Sequence, residues 1–315
     1  MQTITIVVPT YNEESNILHV YQRVKAIFEN HLHKYRMSIQ FIDNCSSDAT
    51  RSLIMQLCQE DSCVCAIFNA KNFGYNRSLF YGLSQAAGDC AILMNADMQD
   101  PPEVIPRFVA EWEKGAKIVA GIKNKSKENP VLYYFRSFYY RTIKRLSEID
   151  HIDHFDGFGL YDQSFLKVLR ELRDPLPYLR GIVAELGFQR KDVTYEQVKR
   201  QHGKSHFRFL ALYDLAMLGI TSYTKVIMHI ATLLGMAVSA ICAILAIVIV
   251  VMKLLNWGTF PFGTAATQVG VFFLGSLQLF FIGFVGEYIV NINTRVMQHP
   301  LVVEERRINF DQCQK

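Results

Sequence analysis

Residues Val226–Met252 run without a single Asp, Glu, Lys or Arg, and Val269–Ile292 form a second apolar stretch whose one charged residue is Glu287. Each exceeds the about 20 residues that cross a bilayer. Two C-terminal transmembrane helices are therefore expected, because core helices of soluble domains seldom run this long without a polar face. The connector Lys253–Gln268 carries one lysine. Arg200, Lys204, Arg208 and Lys225 flank the pair on one side, and Arg295, Arg306 and Arg307 on the other. The positive-inside bias then puts both flanks in the cytoplasm of a multi-pass protein of the inner (cytoplasmic) membrane. Glu287 is either a functional group or one that snorkels to the interface.

The remainder of the chain is polar enough to fold in water. Overall 50% of the 315 residues are hydrophobic and 20% charged, which excludes a disordered or collagen-like chain. The seven cysteines are scattered without a Cys-x-x-Cys pair, so neither a disulfide framework nor a structural zinc site is expected. The start lacks the pattern of a signal peptide, and the first domain is expected to stay inside the cell.

From residue 1 to about 122, short β-branched runs alternate with helix-length amphipathic stretches, as stacked βαβ units do. Strands are expected at Ile4–Val8, Ile39–Ile42, Val64–Phe68, Ala91–Met94 and Lys117–Ala120. Helices are expected at Ser15–Glu29, Ala49–Glu60, Ser78–Ala87 and Pro102–Lys114, with Ser15 and Asp48 as N-caps. Two further stretches, Val131–Ile149 and Phe207–Tyr223, mix aromatic and basic residues in the manner of amphipathic helices at headgroup level. For the first, packing on the sheet is an equal alternative.

Ligands of an open α/β sheet bind outside the carboxyl ends of its strands. Those ends are polar here, from Thr10 to Glu14, Asp43 to Asp48, Asn69 to Asn72, Asn95 to Asp100, and at Lys123. No Gly-x-Gly-x-x-Gly follows the first strand, and neither a P-loop nor a Gly-x-Ser-x-Gly elbow occurs. Dehydrogenase, ATPase and common hydrolase readings lose their machinery. The oxygen-rich segment Asn95-Ala96-Asp97-Met98-Gln99-Asp100 suits a hard divalent cation, Mg²⁺ or Mn²⁺, held against a diphosphate. His151 and His154 stand three residues apart, a spacing that also suits a transition metal, but this is the weaker metal reading.

In order and spacing, Val8-Pro9-Thr10-Tyr11-Asn12-Glu13-Glu14, Asp43-Asn44-Cys45-Ser46-Ser47-Asp48, Asn72-Phe73-Gly74-Tyr75-Asn76 and Asn95 to Glu103 resemble family 2 glycosyltransferases. The likeness points to the branch that uses polyprenyl phosphates. It extends to Gly157-Phe158-Gly159-Leu160-Tyr161-Asp162, Arg200-Gln201-His202-Gly203-Lys204-Ser205 and Gly286-Glu287-Tyr288.

The resemblance implies a GT-A, Rossmann-like, mainly parallel α/β sheet with flanking helices. It implies that Pro9, Tyr11, Asn12, Glu13, Asp43, Asn44, Asn72 and Asn95 line the nucleotide-sugar site. Asp97 and Gln99 would coordinate the metal, and Lys123, Arg136, Arg200 and Lys204 would surround the phosphates. Asp97, Asp156, Arg200 and Lys204 are the catalytic candidates. Two departures stand out, Asn95 where the family has an aspartate and Asn44 where it has an acidic pair. Asp156 sits one position before the place where related sequences carry a proposed base.

The expected organisation is a catalytic domain over 1–205, a juxtamembrane amphipathic helix over 206–224, two spans over 225–293 and a cytoplasmic tail over 294–315. The expected reaction is inverting transfer of one sugar, glucose favoured, from a nucleotide sugar, UDP favoured, to polyprenyl phosphate. Such an acceptor, with a second pKa near 6, is largely dianionic at neutral pH and needs no strong base. The rivals are transfer to a glycan or protein acceptor, and a decayed nucleotide-sugar-binding membrane scaffold. The bilayer is an expected partner and nucleic acid is not. A homo-oligomer and a flippase or downstream transferase are compatible with the sequence.

Overall fold

Alternation along the strands decides which helix goes where. In β1 (Thr3–Thr10), Ile4, Ile6 and Val8 point into one apolar cluster and Val7 into another. In β4 (Cys90–Leu93), Cys90 and Ile92 join the first cluster, while Ala91 and Leu93 join the second. A strand buried on both faces needs helices on both. The first face is covered by α1 (Ile17–His31), α2 (Thr50–Glu60) and α4 (Ile105–Glu113). The second is covered by α3 (Tyr75–Gln85), α5 (Gln163–Glu171) and α6 (Leu179–Glu185). Gly82 lets α3 lie close to the sheet, since a Cβ there would stand 3.1 Å from both Ile42 and Val7.

The protein is described by a computed structural model at residues 1–123, 152, 154–172, 174–198, 264–297 and 299–310, with isolated positions between 233 and 255. The expected helix Val131–Ile149, the helix Phe207–Tyr223 and almost all of Val226–Met252 lie outside the described residues, as do Arg136, Arg200 and Lys204.

Among the described residues the sheet has eight strands in the order β7-β5-β6-β4-β1-β2-β3-β8. The remaining strands are β2 (Arg36–Asp43), β3 (Val64–Asn69), β5 (Ile118–Lys123), β6 (Gly159–Asp162), β7 (Arg190–Tyr195) and β8 (Glu304–Ile308). β1 pairs in parallel with β2 and β4, as do β2 with β3 and β5 with β7. β6 lies antiparallel between β4 and β5, and β8 runs antiparallel to β3. This is the expected α/β, mainly parallel sheet. The chain steps from β1 outward to β2 and β3, then returns past β1 to β4. That reversal opens a crevice between the carboxyl ends of β1 and β4.

Several boundaries differ from expectation. α1 starts at Ile17 behind Asn16, which makes no side-chain cap, rather than behind Ser15. α3 starts at Tyr75, because Asn72 Oδ1 accepts from Gly74 N at 2.9 Å and Gly74 turns at φ +88°. α2 starts at Thr50 with Ala49 at its N-cap, one residue later than expected, and Asp48 Oδ1 accepts from Thr50 N at 3.0 Å from just outside it. The segment expected as a tail returns to the sheet instead. Its strand β8 pairs Ala66 with Ile308 and Phe68 with Arg306, so the chain end forms the sheet edge. Ahead of it runs α7 (Thr264–Val296), whose end is tied to the segment after α5 by Arg295 and Asp174 at 3.3 Å. Among the described residues no helix is long and apolar enough to cross a membrane.

Candidate active site

Two loops wall the β1–β2 side of the crevice and are knitted to each other. Asn12 takes a left-handed conformation (φ 55°), which Asn tolerates better than most residues. Its N–H donates to Ser46 Oγ at 2.9 Å and its Oδ1 accepts from Ser47 N at 2.8 Å. Glu14 Oε2 accepts from Ala49 N at 2.9 Å, and Glu13 N donates to Thr50 Oγ1 at 2.9 Å. The Glu13 carboxylate itself accepts from Asn16 at 2.6 Å. Pro9 is buried in β1, beside Ile42, and Tyr11 is half-buried at its exit.

Asp43 is fully buried at the end of β2. Burial pushes its carboxyl up, while bonds from Ser46 and the Arg51 guanidinium, 3.4 Å away, pull it back. Arg51 in turn reaches Glu305 of β8 at 2.7 Å.

The neighbouring Asn44 uses both ends of its amide. Its nitrogen donates to Asn72 Oδ1 at 2.8 Å, and its oxygen accepts from Asn69 at 3.1 Å and from Phe73 N at 3.0 Å. A carboxylate could not donate to Asn72. The departure from the family's acidic pair therefore serves to hold the 69–73 turn.

The other wall is built around a buried acid with no role in the sequence reading. Asp100 is 1% exposed and accepts from Asn95 Nδ2 at 2.9 Å and from Tyr195 Oη at 2.6 Å. Burial first, and the charge of Asp156 second, push its carboxyl up to about 7, opposed by Lys123 and the two hydrogen bonds. Burial and Asp100 likewise raise the Tyr195 phenol. Asn95 completes the chain, because its Oδ1 accepts from Tyr75 Oη at 2.7 Å. With an aspartate at 95, two carboxylates would face each other where an amide now donates. Asn95 is thus matched to Asp100, and its amide is engaged at both ends.

Asp97 sits half-exposed in a turn, with Oδ1 accepting from Gln99 N at 3.2 Å and Met98 at φ 58°. The Gln99 amide oxygen accepts from Gln197 at 2.6 Å. Lys123 and Asp156 form an ion pair of 2.5 Å at the end of β5. Behind it, Gly159 allows β6 to slot beside β5, since a Cβ there would stand 2.5 Å from the Val119 carbonyl.

The structure thus brings Tyr11 to Glu13, Asp43, Asn44, Asn72, Asn95, Asp97, Gln99, Lys123 and Asp156 to one edge of the sheet. A cavity of about 420 Å³ at the opposite margin, lined by Met55, Cys58, Gln59, Ser62, Arg306 and Ile308, contains none of them.

Among the described residues no three His, Cys, Asp or Glu side chains gather into a protein cage for a metal. A single accessible carboxylate beside polar oxygens is nevertheless what Mg²⁺ or Mn²⁺ uses when a substrate diphosphate supplies further ligands, so the donor set at Asp97 fits such an ion.

Residues 5–170 match the family described as Glycosyl transferase family 2. The chain belongs to that family. It is 32% identical over 298 residues to the SfII prophage-derived bactoprenol glucosyl transferase of Shigella flexneri, a match covering 94% of this chain and 96% of that protein. It is 30% identical over 310 residues to the putative glycosyltransferase CsbB of Bacillus subtilis, covering 98% and 93%. Among solved structures, mannosyl-3-phosphoglycerate synthase from Rubrobacter xylanophilus matches with a TM-score of 0.49 and 15% identity, over 70% of this chain and 72% of that one. The family 2 membership makes the protein a glycosyltransferase with a GT-A fold, and the crevice between β1 and β4 is its candidate active site.

Proposed function

We propose that this glycosyltransferase moves one hexose, glucose favoured, from a UDP-sugar to polyprenyl phosphate at the cytoplasmic face of a membrane. The observation that carries this reading is the match over nearly the full chain to proteins named bactoprenol glucosyl transferase. The Asn12–Ser47 and Asn44–Asn72 stitching supplies a rigid cradle for the nucleoside, with the buried Asp43 carboxylate as a hydrogen-bond acceptor at its base. A divalent cation held by Asp97 and the donor's diphosphate would offset the charge on the departing nucleotide. Lys123, poised by Asp156, places an ammonium in the same crevice for a second phosphate. The acceptor phosphate arrives already ionised, so these residues orient and stabilise charge rather than remove a proton. A single in-line displacement inverts the sugar.

Membrane attachment is part of the proposal. α7 carries no Asp, Glu, Lys or Arg before Glu287. Leu279, Ile282 and Ile289 are each more than half exposed along it, as lipid-facing side chains are. An acceptor whose tail stays in the bilayer requires a crevice at headgroup height. The short link from Val296 to β8, with the Arg295–Asp174 pair, would hold it there. The purified protein with UDP-glucose, polyprenyl phosphate and Mg²⁺ should form a lipid-linked glucose detectable by mass spectrometry. Turnover on water-soluble acceptors alone, or on no lipid phosphate with any common sugar nucleotide, overturns the reading.

A further inference from the structure

The exit of β7 is joined to the 95–100 loop at three points. Tyr195 Oη donates to Asp100 Oδ1 at 2.6 Å, Gln197 Nε2 donates to Gln99 Oε1 at 2.6 Å, and Val198 N donates to the Gln99 carbonyl at 3.1 Å. These partners are more than 90 residues apart in sequence, so nothing local to the loop supplies the same restraint. The loop needs one, because Met98 occupies a left-handed conformation that a methionine adopts only under constraint.

The restraining side is rigid. The Tyr195 ring packs edge-on against Phe158 at 5.2 Å, and Phe158 packs on Phe108 at 4.9 Å. That stack fixes the phenol before it meets Asp100.

We infer that Tyr195 and Gln197 are positioning residues of the donor site, acting through Asp100 and Gln99 to set where the Asp97 carboxylate stands against a nucleoside diphosphate and its metal ion. The inference rests on reading the 95–99 loop as the diphosphate side of the crevice. Partners that orient a metal-binding group from behind are worth about 10- to 100-fold in metal affinity. The three bonds reach the loop at Gln99 and Asp100, two and three residues beyond Asp97. Asp97 itself is joined to the same turn through Gln99 N, which donates to its Oδ1 at 3.2 Å.

The test is calorimetric titration of the full-length protein with UDP, with and without Mn²⁺, and of Mn²⁺ at saturating UDP. Gln197→Met keeps the side chain's length and removes its N–H, and Tyr195→Phe keeps the ring and removes the hydroxyl. Gln197→Met is expected to weaken Mn²⁺-dependent UDP binding about 10-fold, with metal-free UDP affinity and melting temperature unchanged. In a Gln99→Ala background the same change should have no further effect. Tyr195→Phe should act in the same direction, and if it fails to fold, Gln197→Met alone decides. Wild-type UDP–Mn²⁺ affinity in Gln197→Met, or an effect that adds fully to Gln99→Ala, overturns the positioning role. A wild-type protein that binds neither UDP nor GDP with Mn²⁺ overturns the reading of the loop itself, and the inference with it.

Discussion

The two walls of the crevice are held by different chemistry. On the β1–β2–β3 side, amides, hydroxyls and backbone groups interlock: Asn12 with Ser46 and Ser47, Glu14 with Ala49, and Asn44 with Asn69, Asn72 and Phe73. Asp43 is the one buried charge there, and it has a guanidinium beside it. On the β4–β6–β7 side, the carboxyls of Asp100 and Asp156 share a neighbourhood with Lys123 and with the phenol of Tyr195. The first wall is knit mostly by neutral groups, whereas the second sets two carboxyls against one ammonium, and burial with the Asp156 charge pushes Asp100 up to about 7. The crevice thus has a wall held mainly by neutral hydrogen bonds and a wall whose charges are coupled.

The largest effect is expected from the charge-coupled wall. Asp97→Ala should lower kcat by about 10²- to 10³-fold, on the scale of losing one dedicated charge-stabilising group, while circular dichroism stays that of the wild type. An equal loss from a conservative change anywhere in the 12–14 loop would erase the distinction between the walls. Next comes the wall held by neutral hydrogen bonds. Asn44→Ala strips partners from three polar groups, each worth about 1 kcal/mol, and should cost about 2–3 kcal/mol in urea unfolding. Asn44→Asp should lose less, because its oxygens still accept from Asn69 and Phe73.

A pH series separates the walls directly. The folded-state pKa of Asp100 lies above its unfolded value, so the folded form holds a proton that the unfolded form has released. This group's contribution to stability is complete below about pH 4, where both states are protonated, and declines as pH rises toward about 7. Asp100→Asn should flatten that decline in thermal melts between pH 5 and 8, and an unchanged slope would place the titrating group elsewhere. Asn95→Asp should steepen it, since the new carboxylate must share a proton with Asp100. The smallest effect is expected at Arg23 and Glu103, an exposed pair that joins α1 to the short turn after the Asp97 loop. Arg23→Ala should change stability by no more than about 0.5 kcal/mol, so the walls are coupled through the core rather than across the surface.

The first five strands along the chain were legible because their apolar runs are bounded by polar ends. β6, β7 and β8 were not. Gly159–Asp162 is too short to show a period, Arg190–Tyr195 is half solvent-facing, and Glu304–Ile308 is four-fifths charged and reads as a tail. Each becomes a strand only because an existing edge or gap receives it. The same holds for the site. The motif residues Asp43, Asn44, Asp97 and Lys123 were visible as polar strand ends. Tyr75, Tyr195 and Gln197 were not, since their meaning comes from contacts with a loop 20 to about 100 residues away. Asn44 and Asn95, which stood out as departures from the family pattern, are fitted hydrogen-bond donors whose partners only the folded chain reveals.

Strand β8 also sets an order of assembly. It follows the apolar helix α7 in the chain, and it brings Glu305 to the arginine that accompanies Asp43. Until that happens, β3 has a bare edge and the Asp43–Arg51 pair lacks its outer partner. A chain in which α7 ends in the wrong place leaves that edge open, so completion of the sheet depends on the helix that precedes its last-paired strand.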